Sequence, residues 1–237
     1  SIENSQMQLE AYDLKLEGET SFRVRSIGTT AVADDTVFHQ QLPGIHNIQN
    51  ALAALTVATL LGVDASTIQK TLADFSGIRR RYEIRHTGPL NVQGEMHDVI
   101  VIDDYAHHPT AIAATLGATR QRYPQRRLIA VYQPHMFSRT KTFFDQFLSA
   151  FDAADVVIIS DIFPARERDT GLISAHDLVK AMQERSTSLK QNHDILYGKS
   201  IQNTAQLLQS ILRSGDVVLI MGAGDIYTLT DMILQTG

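Results

Sequence analysis

The residues best suited to chemistry in this sequence are two carboxylates, a tyrosine and two histidines within the segment DDYAHHPT, residues 103–110. Carboxylates and imidazoles bind Zn²⁺, Mn²⁺ or Fe²⁺, which makes a metal-dependent hydrolase one interpretation. A histidine with a pKa of about 6.5 can instead donate a hydrogen bond or accept a proton from an incoming amine. No H-x-x-x-H pair accompanies the segment. The sequence therefore favours a ligand site over a dedicated metal site.

The elements on either side predict where this segment lies. The apolar run 99–102 indicates a strand buried on both faces of a parallel sheet. Pro109 suits the first turn of a helix that we predict to reach Arg122. Open α/β sheets bind ligands at the carboxyl ends of their strands, so the segment is placed where a site is expected. Asp103, taken as the last strand residue, is alternatively predicted to cap backbone amides.

The same alternation of apolar runs and helical patterns continues to the end of the chain. Strands are predicted at residues 99–103, 128–132, 156–160, 193–196 and 217–221, with helices near 110–122, 141–152, 174–185, 200–212 and 226–235. Such alternation is typical of parallel strands joined by right-handed crossovers. The prediction is therefore an α/β fold with a Rossmann-like, doubly wound, mostly parallel sheet.

A smaller α+β segment is predicted to precede this sheet. Short alternating strands are indicated at residues 14–17, 22–25, 31–33 and 37–38, with a turn at 28–30. An Ala-rich helix that Gly62 ends, and a second helix from Ser66 that buries Ile68, Leu72 and Phe75, complete the segment.

Polar loops follow several of the predicted strands. Residues 133–141 contain His135 and Arg139, and Arg139 is a natural anchor for a carboxylate. The GAG sequence at 222–224 lacks the third glycine of a dinucleotide fingerprint, so we interpret it as a tight turn with amides free for a polar ligand group. The GKS sequence at 198–200 lacks the glycine loop of a P-loop and is predicted to be a strand-to-helix turn.

Two further groups allow a structural or a functional interpretation. Asn47 and Asn50 are three residues apart, so they share one helical face. Either Asn47 caps the helix, or the two amides bind the edge of a heterocycle. The three arginines at 79–81 form either a solvated linker or a phosphate-binding hinge.

The composition excludes several classes of protein. The net charge of -5 argues against a nucleic-acid surface, and the absence of cysteine excludes disulfides and thiolate metal sites. No apolar run approaches the roughly 20 residues that span a bilayer, and no signal segment opens the chain. A cytoplasmic protein without membrane or nucleic-acid partners is expected, and the opening Ser1 suggests processing or truncation.

Five segments together resemble the ATP-dependent Mur ligases of peptidoglycan synthesis. They are GIHNIQNA at 44–51, RRYE at 80–83, DDYAHHPT at 103–110, QPHMFSRT at 133–140 and GAGDI at 222–226. The resemblance implies that residues 1–78 are the carboxy-terminal part of the central ATPase domain. It implies that residues 79–237 are the carboxy-terminal Rossmann-like domain, and that the amino-terminal domain, the P-loop and most Mg²⁺ ligands are missing. The chain alone is therefore expected not to turn over ATP.

The resemblance also implies roles for individual residues. Asn47 and Asn50 would contact the adenine of ATP, and Arg81 and Asp104 its ribose or phosphates. The amino acid would be held by Tyr105, His107 and Arg139, with His135 a weaker candidate, and His107 and Arg139 would be the catalytic residues. No resident metal site is predicted. Some relatives carry Arg where this chain has Met136, so recognition of the substrate carboxylate would depend more heavily on Arg139.

Within the family, the segments are most similar to the branch that joins L-alanine to UDP-N-acetylmuramate through an acyl phosphate, forming a C–N bond. One alternative is the branch that joins a recycled tripeptide to the same sugar nucleotide. Another is a stand-alone module that binds a nucleotide or an amino acid.

Overall fold

The computed structural model describes residues 8–17, 19–27, 36–189 and 193–235. The chain divides into two compact units. The first comprises residues 1–77 and 121–124, and the second comprises residues 78–120 and 125–237. No helix in the described ranges is long and apolar enough to cross a bilayer.

The first unit packs two helices on a small antiparallel sheet. Its elements are β1 (Gln8–Lys15), β2 (Thr20–Ile27), β3 (Thr36–Gln40), α1 (Ile45–Leu60) and α2 (Ala65–Asp74), with strand order β1-β2-β3. Alternating apolar residues of β2 and β3 face the helices, and the Phe22 and Phe38 rings stack 5.8 Å apart in the core.

Several predictions for the first unit need correction. The first strand begins at Gln8 and ends at Lys15, earlier than the predicted 14–17. Of the apolar residues expected to be buried by α2, Ile68 is buried, but Phe75 follows the helix and is 47% exposed. The turn and strand predicted at 28–33 lie outside the described residues.

The second unit is a six-stranded sheet with the order β4-β5-β9-β6-β7-β8. Its strands are β4 (Glu83–Val92), β5 (Glu95–Asp104), β6 (Leu128–Tyr132), β7 (Val156–Ser160), β8 (Asp194–Lys199) and β9 (Val217–Met221). Its helices are α3 (Pro109–Arg122), α4 (Phe137–Thr142), α5 (Phe144–Ala150), α6 (Ala175–Leu189), α7 (Ile201–Ile211) and α8 (Thr228–Leu234). The five predicted strands are present and mutually parallel, which confirms the fold class.

The sequence analysis missed β4, which pairs with β5 as an antiparallel edge strand. The two strands form a hairpin whose two-residue turn is Gln93–Gly94, with φ of 54° and 93°. Positive φ at both positions is the requirement of a type I′ turn. Since β4 runs antiparallel, its first residue, Glu83, pairs with Asp103 near the carboxyl end of β5. The chain therefore enters this sheet at the edge where the parallel strands end.

The helix predicted at 141–152 is two short helices that Phe143 separates. The Phe143 ring contacts His108 edge-on, with centroids 4.5 Å apart, whereas Phe147 packs on the buried Tyr132 ring at 5.6 Å. Phe143 and Phe147 therefore lie on either side of the break and contact different residues.

An ion pair connects the amino ends of two neighbouring strands, β6 and β9. Arg127, just before β6, donates to both carboxylate oxygens of Asp216, just before β9, at 2.8 and 2.6 Å. The Asp216 side chain is 2% exposed and also accepts the Arg213 N–H at 2.8 Å. Its charge is therefore compensated where solvent is excluded.

Candidate functional site

Four of the predicted site residues lie together at the carboxyl edge of the second unit. Tyr105 and His107 follow β5, His135 follows β6, and Arg139 lies on α4. The His107 ring centroid is 5.3 Å from that of Tyr105 and 6.0 Å from that of His135. Arg139 lies one helical turn beyond His135 and contacts its ring at 3.2 Å. The cluster combines a cation, two imidazoles and a phenol ring.

The contacts of His107 define which of its nitrogens can accept a proton. Its Nδ1 donates to the Tyr105 carbonyl oxygen at 2.9 Å, since a carbonyl can only accept. In the neutral ring, Nε2 therefore carries the lone pair. Burial lowers the pKa of His107, and the positive charges of Arg139 and Arg81 lower it further. These effects favour the neutral form of His107, which presents a base at Nε2.

His135 positions the Arg139 guanidinium. A guanidinium has no acceptor, so the contact is a donation from Arg139 Nη1 to His135 Nδ1. The His135 ring stacks on Phe163 at 5.5 Å, and burial together with Arg139 lowers the pKa of His135. Backbone bonds from Met136 N to Phe163 O and from Phe163 N to Pro134 O, both 2.8 Å, fasten this loop to its neighbour. The cation is thus held by a rigid frame.

The two adjacent aspartates have roles that differ from the prediction. β5 continues to Asp104, whose carboxylate accepts the N–H groups of Tyr82 and Ala106, both at 2.7 Å. Successive strand residues face opposite sides of the sheet, so Asp103 is turned away from these amides. The prediction that Asp103 caps backbone amides was wrong, because Asp104 does so. Both Asp103 oxygens lack a hydrogen-bond partner among the described residues, and the Arg80 Nε is 3.6 Å from one of them.

The burial of Asp103 predicts a measurable effect on stability. Burial raises the pKa of Asp103 from 3.8 to about 6, so the folded protein binds a proton more tightly than the unfolded chain. Stability should then fall as the pH rises from about 4 to about 6, by up to about 3 kcal/mol. Asp103→Asn should remove this dependence and raise the free energy of unfolding at pH 8 by about 1–3 kcal/mol, measured by urea denaturation.

The exposed Asp98 provides the control for this measurement. Its side chain is 52% exposed, so Asp98→Asn should leave the decline between pH 4 and pH 6 in place. An unchanged pH profile in Asp103→Asn would contradict the assignment.

The glycine-rich turn after β9 is shaped by Gln133. A Cβ on Gly224 would lie 2.4 Å from Gln133 Oε1, and one on Gly222 would lie 3.1 Å from the Gln133 carbonyl oxygen. Gln133 donates to Asp225 and accepts the Ile226 N–H, at 2.8 and 3.2 Å. The Gly222 N–H donates to the Asp104 carbonyl oxygen at 3.2 Å, so this amide is not free for a ligand as predicted. Sequence reasoning missed this role of Gln133.

A cavity and a strand-to-helix turn also lie at this edge of the sheet. A cavity of about 330 Å³ opens beside the turn and is lined in part by Gln133, Phe163, Lys199 and Ser200. The GKS sequence is the predicted strand-to-helix turn, since β8 ends at Lys199 and Ser200 caps α7. Within the described ranges, no group of three or more His, Asp or Glu side chains could hold a metal ion.

The two predicted asparagines belong to the first unit. Gly44 precedes α1 as its N-cap, and Asn47 donates its side-chain amide to the Pro43 carbonyl oxygen at 2.8 Å. The capping interpretation of Asn47 was therefore wrong. Asn50 donates to Asn47 Oδ1 at 3.4 Å, as their shared helical face predicts. Asn50 is exposed.

The chain is similar in sequence to known proteins. Residues 88–224 match the family model described as Mur ligase, glutamate ligase domain. A UDP-N-acetylmuramate–L-alanine ligase of Caldanaerobacter subterraneus is 43% identical over 198 residues, 84% of this chain and 40% of that protein. One of Persephonella marina is 39% identical over 228 residues, 96% of this chain and 45% of that protein. The chain thus spans less than half of each of these two relatives.

Solved structures give a similar result for the fold. UDP-N-acetylmuramate-alanine ligase MurC of Thermotoga maritima superposes with a TM-score of 0.73 at 21% identity, covering 96% of this chain and 45% of that one. A murein peptide ligase of Psychrobacter arcticus gives a TM-score of 0.62 at 25% identity, covering 96% and 43%.

Proposed function

Because this chain belongs to the Mur ligase family, we propose that it is part of an ATP-dependent ligase that adds L-alanine to UDP-N-acetylmuramate. Such a ligase serves peptidoglycan synthesis, and through it cell shape and division, in the cytoplasm. We assign residues 1–78 to the end of the central ATPase domain and residues 79–237 to the carboxy-terminal domain. The amino-terminal domain and the rest of the central domain would be its partners within the complete protein.

The observation that carries the proposal is the cluster in which the His107 ring lies 6.0 Å from His135, the residue to which Arg139 donates. Arg139 would bind the carboxylate of L-alanine through charge-assisted hydrogen bonds, with His135 holding the guanidinium in place. The amine would then lie within reach of His107 Nε2. The amine nitrogen attacks the acyl phosphate carbon, a C–N bond forms, and the C–O bond to phosphate breaks. The proton released from nitrogen passes to His107 Nε2.

Residues of each unit are proposed to contact ATP. Arg81 is exposed, and its guanidinium carbon lies 5.2 Å from the Tyr105 ring centroid, so it can fork onto phosphate oxygens. Asp104 lies two residues before Ala106, whose N–H its carboxylate accepts together with that of Tyr82, and it is proposed to contact the ribose or the phosphates. Asn47 and Asn50 offer amide groups suited to the adenine edge. ATP supplies the phosphoryl group that activates the lactyl carboxylate.

Magnesium would be held mainly by the phosphates and by residues outside this chain. The described residues offer no cluster of three acidic or imidazole side chains for a magnesium ion. Magnesium accompanies phosphoryl transfer because the reaction depends on positioning and positive charge.

Phosphate release by the complete gene product tests the proposed function. The assay contains ATP, Mg²⁺ and UDP-N-acetylmuramate, with L-alanine or the recycling tripeptide as acceptor. Stimulation by L-alanine alone is expected. Stimulation by the tripeptide alone would assign the protein to the recycling branch, and no stimulation by either would favour a binding module. The 237-residue chain by itself should release no phosphate, and any turnover by it would contradict the domain assignment.

Tyr105 is proposed to limit the size of the amino acid. Its ring stands edge-on to His107 at 5.3 Å, where it would form a wall of the amino-acid pocket. Tyr105→Ala should raise kcat/KM for L-valine relative to L-alanine by about tenfold, since one or two methylene groups are discriminated by about 10–200-fold. Tyr105→Phe keeps the ring and should keep the selectivity. Equal selectivity in Tyr105→Ala and the unmodified ligase would refute this role.

A further inference from the structure

Arg80 joins three parts of the carboxyl edge with one side chain. Its guanidinium carbon lies 5.1 Å from the Tyr105 ring centroid and 4.7 Å from that of Tyr227. Its Nη2 donates to the Gly222 carbonyl oxygen at 2.6 Å. A cation over an aromatic face is attracted by the ring quadrupole, and the planar guanidinium suits such stacking. Arg80 therefore connects the loop that contains Tyr105 with the turn at Gly222 and with Tyr227, which precedes α8.

The backbone of Arg80 is fixed as firmly as its side chain. Its φ is 57°, in the left-handed region that a residue with a Cβ seldom adopts. The carbonyl oxygen accepts the Tyr105 N–H at 2.7 Å, and the Arg80 N–H donates to Glu83 Oε2 at 2.9 Å. Unusual backbone geometry persists where the surrounding contacts over-determine it. Tyr105 is thus held by Arg80 through both its amide and its ring.

A buried carboxylate accompanies the guanidinium. Asp103 lies 3.6 Å from Arg80 Nε, with its side chain 1% exposed. Arg85, Glu83 and Asp104 are the other charged groups that act on this carboxylate. Arg80 is 19% exposed, so its charge is also largely removed from water. A partly buried cation with a counter-charge, two rings and a carbonyl oxygen has little freedom to move.

We propose that Arg80 is a positioning residue for amino-acid selectivity: it fixes the Tyr105 ring as a wall of the amino-acid pocket. This inference rests on the proposed function, because it assigns Arg80 to the same site. Arg80 lies one position before the proposed phosphate contact Arg81 and acts through Tyr105 rather than on a substrate. Without the guanidinium, the Tyr105 ring would keep its contacts with His107 and Arg81 but lose the one that ties it to the turn at Gly222.

The test compares selectivity between variants of the complete ligase. The readout is the ratio of kcat/KM for L-alanine to kcat/KM for L-valine, which does not change with the fraction of active enzyme. Arg80→Met should lower this ratio about tenfold, as expected for a pocket that has lost its fit to a small side chain. Arg79→Met removes an exposed charge one position earlier and should leave the ratio within about twofold.

Two further variants keep the proposal testable if Arg80→Met does not fold. Arg80→Lys retains the charge opposite Asp103 but loses the planar fork, so it should lower the ratio by about threefold to tenfold. Tyr227→Leu removes one of the two rings that contact Arg80, at a position that is 38% exposed. This substitution should also lower the ratio. Unchanged ratios in the folded variants would overturn the inference. The proposed function fails separately, if the unmodified ligase shows no phosphate release with L-alanine.

Discussion

His107→Gln lowers kcat of the complete ligase by about 10²–10⁴-fold, the expected range for the loss of a positioned general base. Glutamine retains a donor for the Tyr105 carbonyl oxygen but has no basic nitrogen at pH 7. The KM for ATP should change little, because the substitution removes the proton acceptor. Initial rates of phosphate release at saturating L-alanine measure the effect.

The neighbouring histidine supplies a matched control. His108 Nδ1 accepts the Thr110 N–H at 3.3 Å, a local contact at the start of α3. His108→Asn should retain this type of contact and keep most of the activity. Equal losses in the two variants would contradict the assignment of the base to His107.

The pH dependence provides a second criterion. Since the pKa of His107 is lowered, the neutral base persists at pH values where an ordinary histidine is protonated. In the unmodified ligase, kcat at saturating L-alanine should therefore be retained to a lower pH than an ordinary histidine would allow. A decline centred above pH 7 would contradict the role of His107 as the neutral base.

Arg127→Met lowers the free energy of unfolding of the second unit by about 3–5 kcal/mol, because it leaves the Asp216 carboxylate buried without its cation. Methionine keeps much of the side-chain volume, so the loss would come from charge rather than from a cavity. Urea denaturation followed by circular dichroism measures the effect.

The adjacent Arg126 allows a comparison at nearly the same place. Its partner Asp98 is 52% exposed, and Arg126→Met should cost less than about 1 kcal/mol. Arg127→Met combined with Asp216→Leu should recover part of the loss, since no buried charge then remains. Equal costs for the two single substitutions would show that the buried carboxylate does not determine the effect.

The sequence was sufficient to predict the parallel strands and the loops that follow them. The segments 99–102, 156–159 and 217–221 are continuous apolar runs, and such runs have few alternatives to a strand buried on both faces. Polar residues directly after them then had to lie at the carboxyl edge. The grouping of Tyr105, His107, His135 and Arg139 on neighbouring loops agrees with this expectation, while their roles in the reaction remain proposals.

The remaining features depend on contacts that a local pattern does not contain. β4 includes Gly88 and Pro89, residues typical of loops, and an edge strand tolerates them because one side of it is unpaired. The different environments of Asp103 and Asp104 follow from where the strand ends, and a shift of one residue exchanges their faces. The role of Gln133 in shaping the turn after β9 could not be predicted, because its partners lie about 90 positions further along the chain.

The hairpin turn at Gln93–Gly94 gives the second unit a permissive site for insertion. β4 and β5 are each ten residues long, so this turn lies roughly 30 Å along the strands from Tyr105 and His107. Both turn residues are exposed, and a longer loop adds little closure entropy. A fluorescent label or affinity tag placed there would leave the proposed ligand edge unobstructed. The same insertion at Arg80 would separate the contacts that hold Tyr105.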